Sequence, residues 1–153
     1  TCKSTAAGDV LRMYPCDSAL SSQQKFEVDA GTGRIELSST LSLSSSPEKK
    51  PLCLTVGPSK DAKFGFPLAT LEACGSNPNE QGMGGGPTSL GAIRNAVSEV
   101  CLDVSNHDKL AGAPVGFYAC TTGSTNQVWT LADTPDHGKQ LISQANGFCL
   151  TAC

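Results

Sequence analysis

Apolar residues in this chain come in short runs of about four to six, separated by Gly, Pro, Asn, Asp and Ser. That spacing predicts short β-strands joined by turns, because a helix needs a longer stretch with apolar residues every 3.6 positions. The best helical stretch, Ala92 to Val100, has its apolar frame broken by Asn95 and Ser98. Ser42 to Pro51 and Gly82 to Gly91 read as loops. The second holds Gly84-Gly85-Gly86-Pro87 without the Gly-Lys-Ser/Thr ending of a phosphate-binding loop, so it reads as a flexible turn.

The runs repeat. Cys101-Leu102-Asp103-Val104 matches Cys53-Leu54-Thr55-Val56, 48 positions upstream. Phe117-Tyr118-Ala119-Cys120 matches Leu71-Glu72-Ala73-Cys74 and Met13-Tyr14-Pro15-Cys16. Gln127-Val128-Trp129 matches Gln24-Lys25-Phe26 and, more weakly, Gln81-Gly82-Met83. Each is followed by a glycine and an apolar strand at Ile35, Ile93 and Leu141. Three units of about 50 residues, each with four short strands, account for one domain over 1–153. Such a pattern predicts an all-β fold, a β-trefoil with a six-stranded barrel capped by three hairpins, over a sandwich, which needs no internal repeat.

Composition narrows the function classes. Charged residues are 16% and the net charge is −3, so no basic footprint argues for nucleic acid or an anionic membrane. No apolar run approaches the ~18 residues of a membrane span. No signal peptide is visible, and a start at Thr1 without Met reads as a processed product. Eight cysteines without a Cys-x2-Cys pair, and with His107 and His137 away from cysteines at ligand spacing, favour disulfides over zinc. The expected setting is therefore an oxidising one, secreted, extracellular or lumenal, with no metal and no cofactor. The Ser-rich run Ser38 to Ser46 reads as a solvated loop, and there is no Asn-x-Ser/Thr sequon.

The last third of the chain carries the chemistry. Asp103 is an acceptor for two neighbouring hydroxyls, Tyr118 a flat face for the C–H side of a pyranose, and Asn126 both a donor and an acceptor. The loop from Ser105 to Gly116 would wall such a pocket, with Gly112 allowing close approach and His107 at the rim or in a solvated turn. These features, and above all Gln127-Val128-Trp129, resemble the Gln-x-Trp repeat of ricin-type lectins. The resemblance implies that Asp103, Tyr118 and Asn126 contact galactose or N-acetylgalactosamine. Gln127 belongs to the same set, reading as a brace for Asp103 or the backbone more than as a sugar contact. Trp129 reads as core, since it alternates with Gln127 on a strand. Gly116 departs from the pattern, since some sugar-binding members carry a polar contact residue there.

The other copies look impaired. In the second, Thr55 replaces the acid and Glu72 the aromatic. The first keeps Tyr14, Gln23 and Gln24, but its acid position is Thr151 or Ser4, depending on where the repeat begins. One working pocket is expected, not three.

In a ricin-type repeat the cysteine of the first strand bonds the one closing the second, which implies Cys53–Cys74 and Cys101–Cys120. Cys2 to Cys16 is too short for the same hairpin, whereas joining the chain ends places Cys149 about 20 positions before Cys16. Phe148-Cys149-Leu150-Thr151 also reads as a first strand. The expectation is a circularly shifted trefoil, with units near 1–50 plus 148–153, 51–98 and 99–147, and with Cys16–Cys149 and Cys2–Cys153. Local pairing of Cys2 with Cys16 and Cys149 with Cys153 is the alternative.

The implied partners are galactose-type glycans of glycoproteins or glycolipids, with avidity supplied by dimerisation or by a fused or associated enzyme or toxin chain. A β-trefoil scaffold for protein interaction or protease inhibition, using loops such as Gly82 to Gly91, is the competing reading. Catalysis is not expected. Asp103 has no matching acid within its own motif, and no Gly-x-Ser-x-Gly elbow is present.

Overall fold

Alternation of side chains across each strand divides the molecule into a core face and an outer face. In the segment Leu11–Tyr14, Leu11 and Met13 are buried while Arg12 and Tyr14 are partly exposed. A computed structural model describes residues 2, 6–17, 21–29, 31, 33–39, 51–63, 65–75, 90–95, 98–105, 110–135 and 138–153. Among these, eleven strands form the fold: β1 (Leu11–Tyr14), β2 (Phe26–Val28), β3 (Ile35–Leu37), β4 (Leu52–Lys60), β5 (Pro67–Ala73), β6 (Leu90–Gly91), β7 (Val100–Val104), β8 (Ala113–Ala119), β9 (Trp129–Asp133), β10 (Lys139–Ser143) and β11 (Cys149–Ala152). A four-residue helix, α1 (Ser21–Gln24), and a 3-10 turn at Thr125–Gln127 stand between strands. The triplet Gln81-Gly82-Met83, most of the Ser-rich run and most of both predicted loops lie outside the described residues.

Pairing registers carry the three-fold symmetry. Each unit opens with an antiparallel hairpin in which equivalent residues face each other: Thr151↔Arg12, Thr55↔Thr70 and Asp103↔Gly116. The first of these pairs β11 with β1, so the C-terminal strand completes the first repeat. The fourth strand of each unit then meets the cysteine of the next first strand, as Glu36↔Cys53, Arg94↔Cys101 and Ile142↔Cys149. The three second strands close on one another in a cycle, Arg12↔Pro114, Gly116↔Leu68 and Thr70↔Val10. Every step in that cycle uses the same two positions of the repeat. This is a β-trefoil.

Disulfides follow the same symmetry. Cys16–Cys149, Cys53–Cys74 and Cys101–Cys120 each tie a first strand to the end of its second, with Cα atoms 5.0, 5.1 and 5.0 Å apart. Cys2–Cys153 clasps the two chain ends. The local alternative does not occur.

The core is built from the inward positions of all three units. Leu150, Leu54 and Leu102 come from first strands, Met13, Leu71 and Phe117 from second strands, and all are fully buried. Trp129 and Phe26 fill equivalent places at the start of third strands, and Ile35, Ile93 and Leu141 sit on or near the fourth. Burying one such side chain contributes about 1.5–3 kcal/mol. The indole N–H of Trp129 donates to the Leu102 carbonyl at 3.0 Å, so its one polar atom is satisfied inside the core. No helix among the described residues is long and apolar enough to cross a membrane.

Candidate functional site

The β7–β8 hairpin presents Cys101, Asp103, Gly116 and Tyr118 on its outer face, because directly opposed residues of an antiparallel pair project to the same side. Leu102, Val104 and Phe117 point the other way, into the core. Asp103 is only 7% exposed, whereas Tyr118 beside it is 58% exposed. The result is an acid at the floor of the face with an aromatic ring standing at its edge.

The 3-10 turn at Thr125–Gln127 locks the acid in place. Asn126 Nδ2 donates to Asp103 Oδ1 at 2.7 Å, and Gln127 Nε2 donates to Oδ2 at 2.8 Å. Gln127 Nε2 also donates to the Ala119 carbonyl at 2.9 Å, while its Oε1 accepts from the Thr121 N–H at 2.8 Å. Both hydrogens of that amide are thereby engaged. The Ser124 hydroxyl donates to Asn126 Oδ1. A carboxylate held by two neutral amides has its oxygens oriented before any ligand arrives. The sequence places Gln127 on a strand with Trp129, but it lies in the turn before that strand. There its amide can reach both β7 and the end of β8.

The first repeat has the same brace. Gln24 Nε2 donates to the Pro15 carbonyl and to Thr151 Oγ1, each at 3.0 Å, and its Oε1 accepts from the Asp17 N–H at 3.0 Å. Gln24 and Gln127 thus do one structural job, joining the residue two past the first-strand cysteine to the chain leaving the second strand. What differs is the group they hold. Thr151 is fully buried, and its hydroxyl donates to the Cys149 carbonyl at 2.9 Å. Gln23, the counterpart of Asn126, donates to the Cys2 carbonyl at 2.6 Å, so the terminal clasp uses it. Tyr14 is half-buried. In the second repeat Thr55 donates to the Cys53 carbonyl at 3.0 Å, and Glu72 accepts from Thr70 where an aromatic would stand.

Two predicted wall residues fall differently. Gly112 sits against the first repeat: its N–H donates to the Met13 carbonyl at 2.7 Å, its carbonyl accepts from Arg12 at 3.0 Å, and a β-carbon there would lie 3.3 Å from the Tyr14 hydroxyl. Its φ of 87° explains the glycine. The sequence assigned it to the loop of its own repeat, and no local signal reveals that the loop leans across the boundary. His107 lies outside the described residues. Ser124, which orients Asn126, is a residue that pattern reading missed; its place two residues ahead of the Asn was the available signal.

Other candidate chemistry is thin. Among the described residues the potential metal cluster is Glu36 with Cys53 and Cys74, whose sulfurs are bonded to each other. A cavity of about 200 Å³ lies behind the turn, lined by Ala92, the Cys101–Cys120 pair and Thr121 among others, but neither Asp103 nor Tyr118 lines it.

Residues 89–153 match the family model of the ricin-type beta-trefoil lectin domain. The match covers the C-terminal part of the chain, and the three-fold pairing already described extends over the rest. The match supports a ricin-type domain on a β-trefoil fold. The matched segment contains Asp103, Tyr118, Asn126 and the Gln127-Val128-Trp129 triplet, together with β11. A solved structure described as a designed 3-fold symmetric protein, ThreeFoil, is similar over 86% of this chain and 88% of its own, at 17% identity and a TM-score of 0.51. At that identity the likeness concerns the fold alone. A search of curated protein sequences finds no match. A ricin-type lectin domain supports carbohydrate binding in general, and domains of this type are typically non-catalytic. Four disulfides fit an oxidising, extracellular environment.

Proposed function

We propose that this ricin-type domain binds terminal galactose or N-acetylgalactosamine through a single site in the third repeat. The observation that carries the reading is the state of Asp103. It is a buried carboxylate, fixed by Asn126 and Gln127, directly beside an exposed Tyr118. Two adjacent sugar hydroxyls can donate to its oxygens while the C–H face of the pyranose lies on the Tyr118 ring. Asn126 carries a second amide hydrogen that no described residue accepts, and a third hydroxyl can take it. Thr55 and Thr151 cannot play the part of Asp103, since each hydroxyl offers less charge and already donates to its own strand.

A lone shallow site gives a dissociation constant on the order of 1 mM for a monosaccharide, or about 4 kcal/mol. Function at glycoprotein or glycolipid surfaces outside the cell therefore depends on clustering, through self-association or an attached enzyme or toxin chain. On a glycan array the protein should bind galactose-terminated and N-acetylgalactosamine-terminated glycans, with signal rising steeply as printed density increases. A blank array together with inhibition across a protease panel would replace this reading with a protein-binding scaffold.

A further inference from the structure

Gly116 stands directly opposite Asp103, at the place where a side chain would share the outer face with the acid. That volume is filled from elsewhere. A β-carbon on Gly116 would lie 2.2 Å from Phe66 Cδ2, 2.3 Å from Phe66 Cε2 and 2.5 Å from the Pro67 carbonyl oxygen. Phe66 belongs to the second repeat, in the turn between β4 and β5, and crosses the repeat boundary to lie on β8. The turn is held by its backbone, with Asp61 N–H donating to the Phe66 carbonyl at 2.8 Å and Gly65 N–H to the Asp61 carbonyl at 2.9 Å.

The first repeat meets the third with the sizes exchanged. Counting back four from the closing cysteine gives Arg12, Thr70 and Gly116, and counting back eight gives Gly8, Phe66 and Gly112. Arg12 Nη1 donates to the Gly112 carbonyl of the third repeat at 3.0 Å, while the Gly8 N–H donates to the Leu71 carbonyl at 2.7 Å. In the first case the side chain comes from the repeat's own second strand and the neighbour supplies a glycine. At the third repeat that arrangement is reversed, with glycine on the strand and a ring from the neighbour.

We propose that Phe66 is a ligand-contacting wall of the third-repeat site, so that the pocket is assembled from two repeats. This rests on the third-repeat reading above. Opposed residues have Cβ positions about 5 Å apart, so the Phe66 ring edge, standing where a Gly116 β-carbon would be, lies about that far from the Asp103 β-carbon. Tyr118 lies two residues along the same strand, about 7 Å away, on the other flank. Phe66 is itself partly exposed. A hydroxyl pressed against it would lose water without gaining a partner, so the sugar edge that lies there must carry C–H groups. What a polar residue at position 116 would do by hydrogen bonding, Phe66 does by apolar contact.

The test is an NMR titration of the whole protein with methyl β-galactoside. Phe66→Ala and Phe66→Leu should weaken binding about tenfold, the loss of one aromatic face, with Phe66→Tyr restoring most of it. Saturating the Phe66 ring protons in the wild type should transfer to the bound sugar. Undiminished binding in Phe66→Ala, with binding lost in Asp103→Ala, overturns the Phe66 wall and leaves the site standing. Undiminished binding in Asp103→Ala, or none in the wild type, overturns the site reading and the wall with it. Should Phe66→Ala fail to fold, absence of ring-to-sugar transfer in the wild type overturns the proposal.

Discussion

Asp103→Ala is expected to abolish sugar binding and to lower stability at the same time. Hydrogen bonds to a charged group contribute about 1.5–3 kcal/mol each, so losing two sugar contacts weakens binding by more than about 100-fold. From a starting point near 1 mM, that is below detection. Stability falls for a separate reason. Asn126 Nδ2 and one hydrogen of Gln127 Nε2 lose their acceptor in a buried place, a penalty of about 1–3 kcal/mol. In a domain of this size each kcal/mol corresponds to about 2–4 °C in Tm. Asp103→Asn separates the two effects, since it keeps the volume and one acceptor while removing the charge. It should stay folded and still fail to bind. If either variant binds methyl β-galactoside like the wild type, Asp103 is not the anchor.

The second large effect concerns the nested disulfides. Cys16–Cys149 and Cys2–Cys153 span 133 and 151 positions, and both join the beginning of the chain to its end. With one intact, the other closes only the short terminal segments between them. Removing either alone should therefore destabilise the domain by about 3 kcal/mol in the chain-entropy account. Removing both opens the long loop as well, and the loss rises to about 8 kcal/mol. That is comparable to the whole stability of an ordinary domain, so the double variant should be largely unfolded at room temperature. β11 would suffer first, since Leu150 and Ala152 are fully buried and four of its residues pair with β1. Denaturant midpoints for Cys16→Ala/Cys149→Ala, Cys2→Ala/Cys153→Ala and the four-site variant measure this. Losses that simply add would contradict the nested arrangement.

Much of the fold was legible because the repeat writes itself three times. Cysteine spacing, short apolar runs and the Gln-x-Trp triplet all report local strand geometry, and each copy checks the others. The displaced start was readable for the same reason, since Cys149-Leu150-Thr151 has the form of a first strand. Asp103, Tyr118 and Asn126 were legible as a group because one hairpin and the turn after β8 bring them together. The rest depends on contacts between repeats. Gly112 and Phe66 each lean across a boundary onto the neighbouring second strand, and nothing within either segment says which strand receives it. Gln127 was misplaced onto a strand because a three-residue 3-10 turn is too short to leave a periodic pattern. Glycine at 116 looked like a missing contact, when its bare Cα is what admits the Phe66 ring.

The central claim is one sugar site, in the third repeat, on a scaffold whose first repeat keeps only the brace. Side-chain amide signals give the most direct test, because equivalent amides exist in two repeats. Methyl β-galactoside titrated into 15N-labelled protein should shift the amide signals of Asn126 and Gln127 along one binding curve and leave those of Gln23 and Gln24 in place. Shifts at Gln23 and Gln24, or none at Asn126 and Gln127 while sugar is bound, would contradict it.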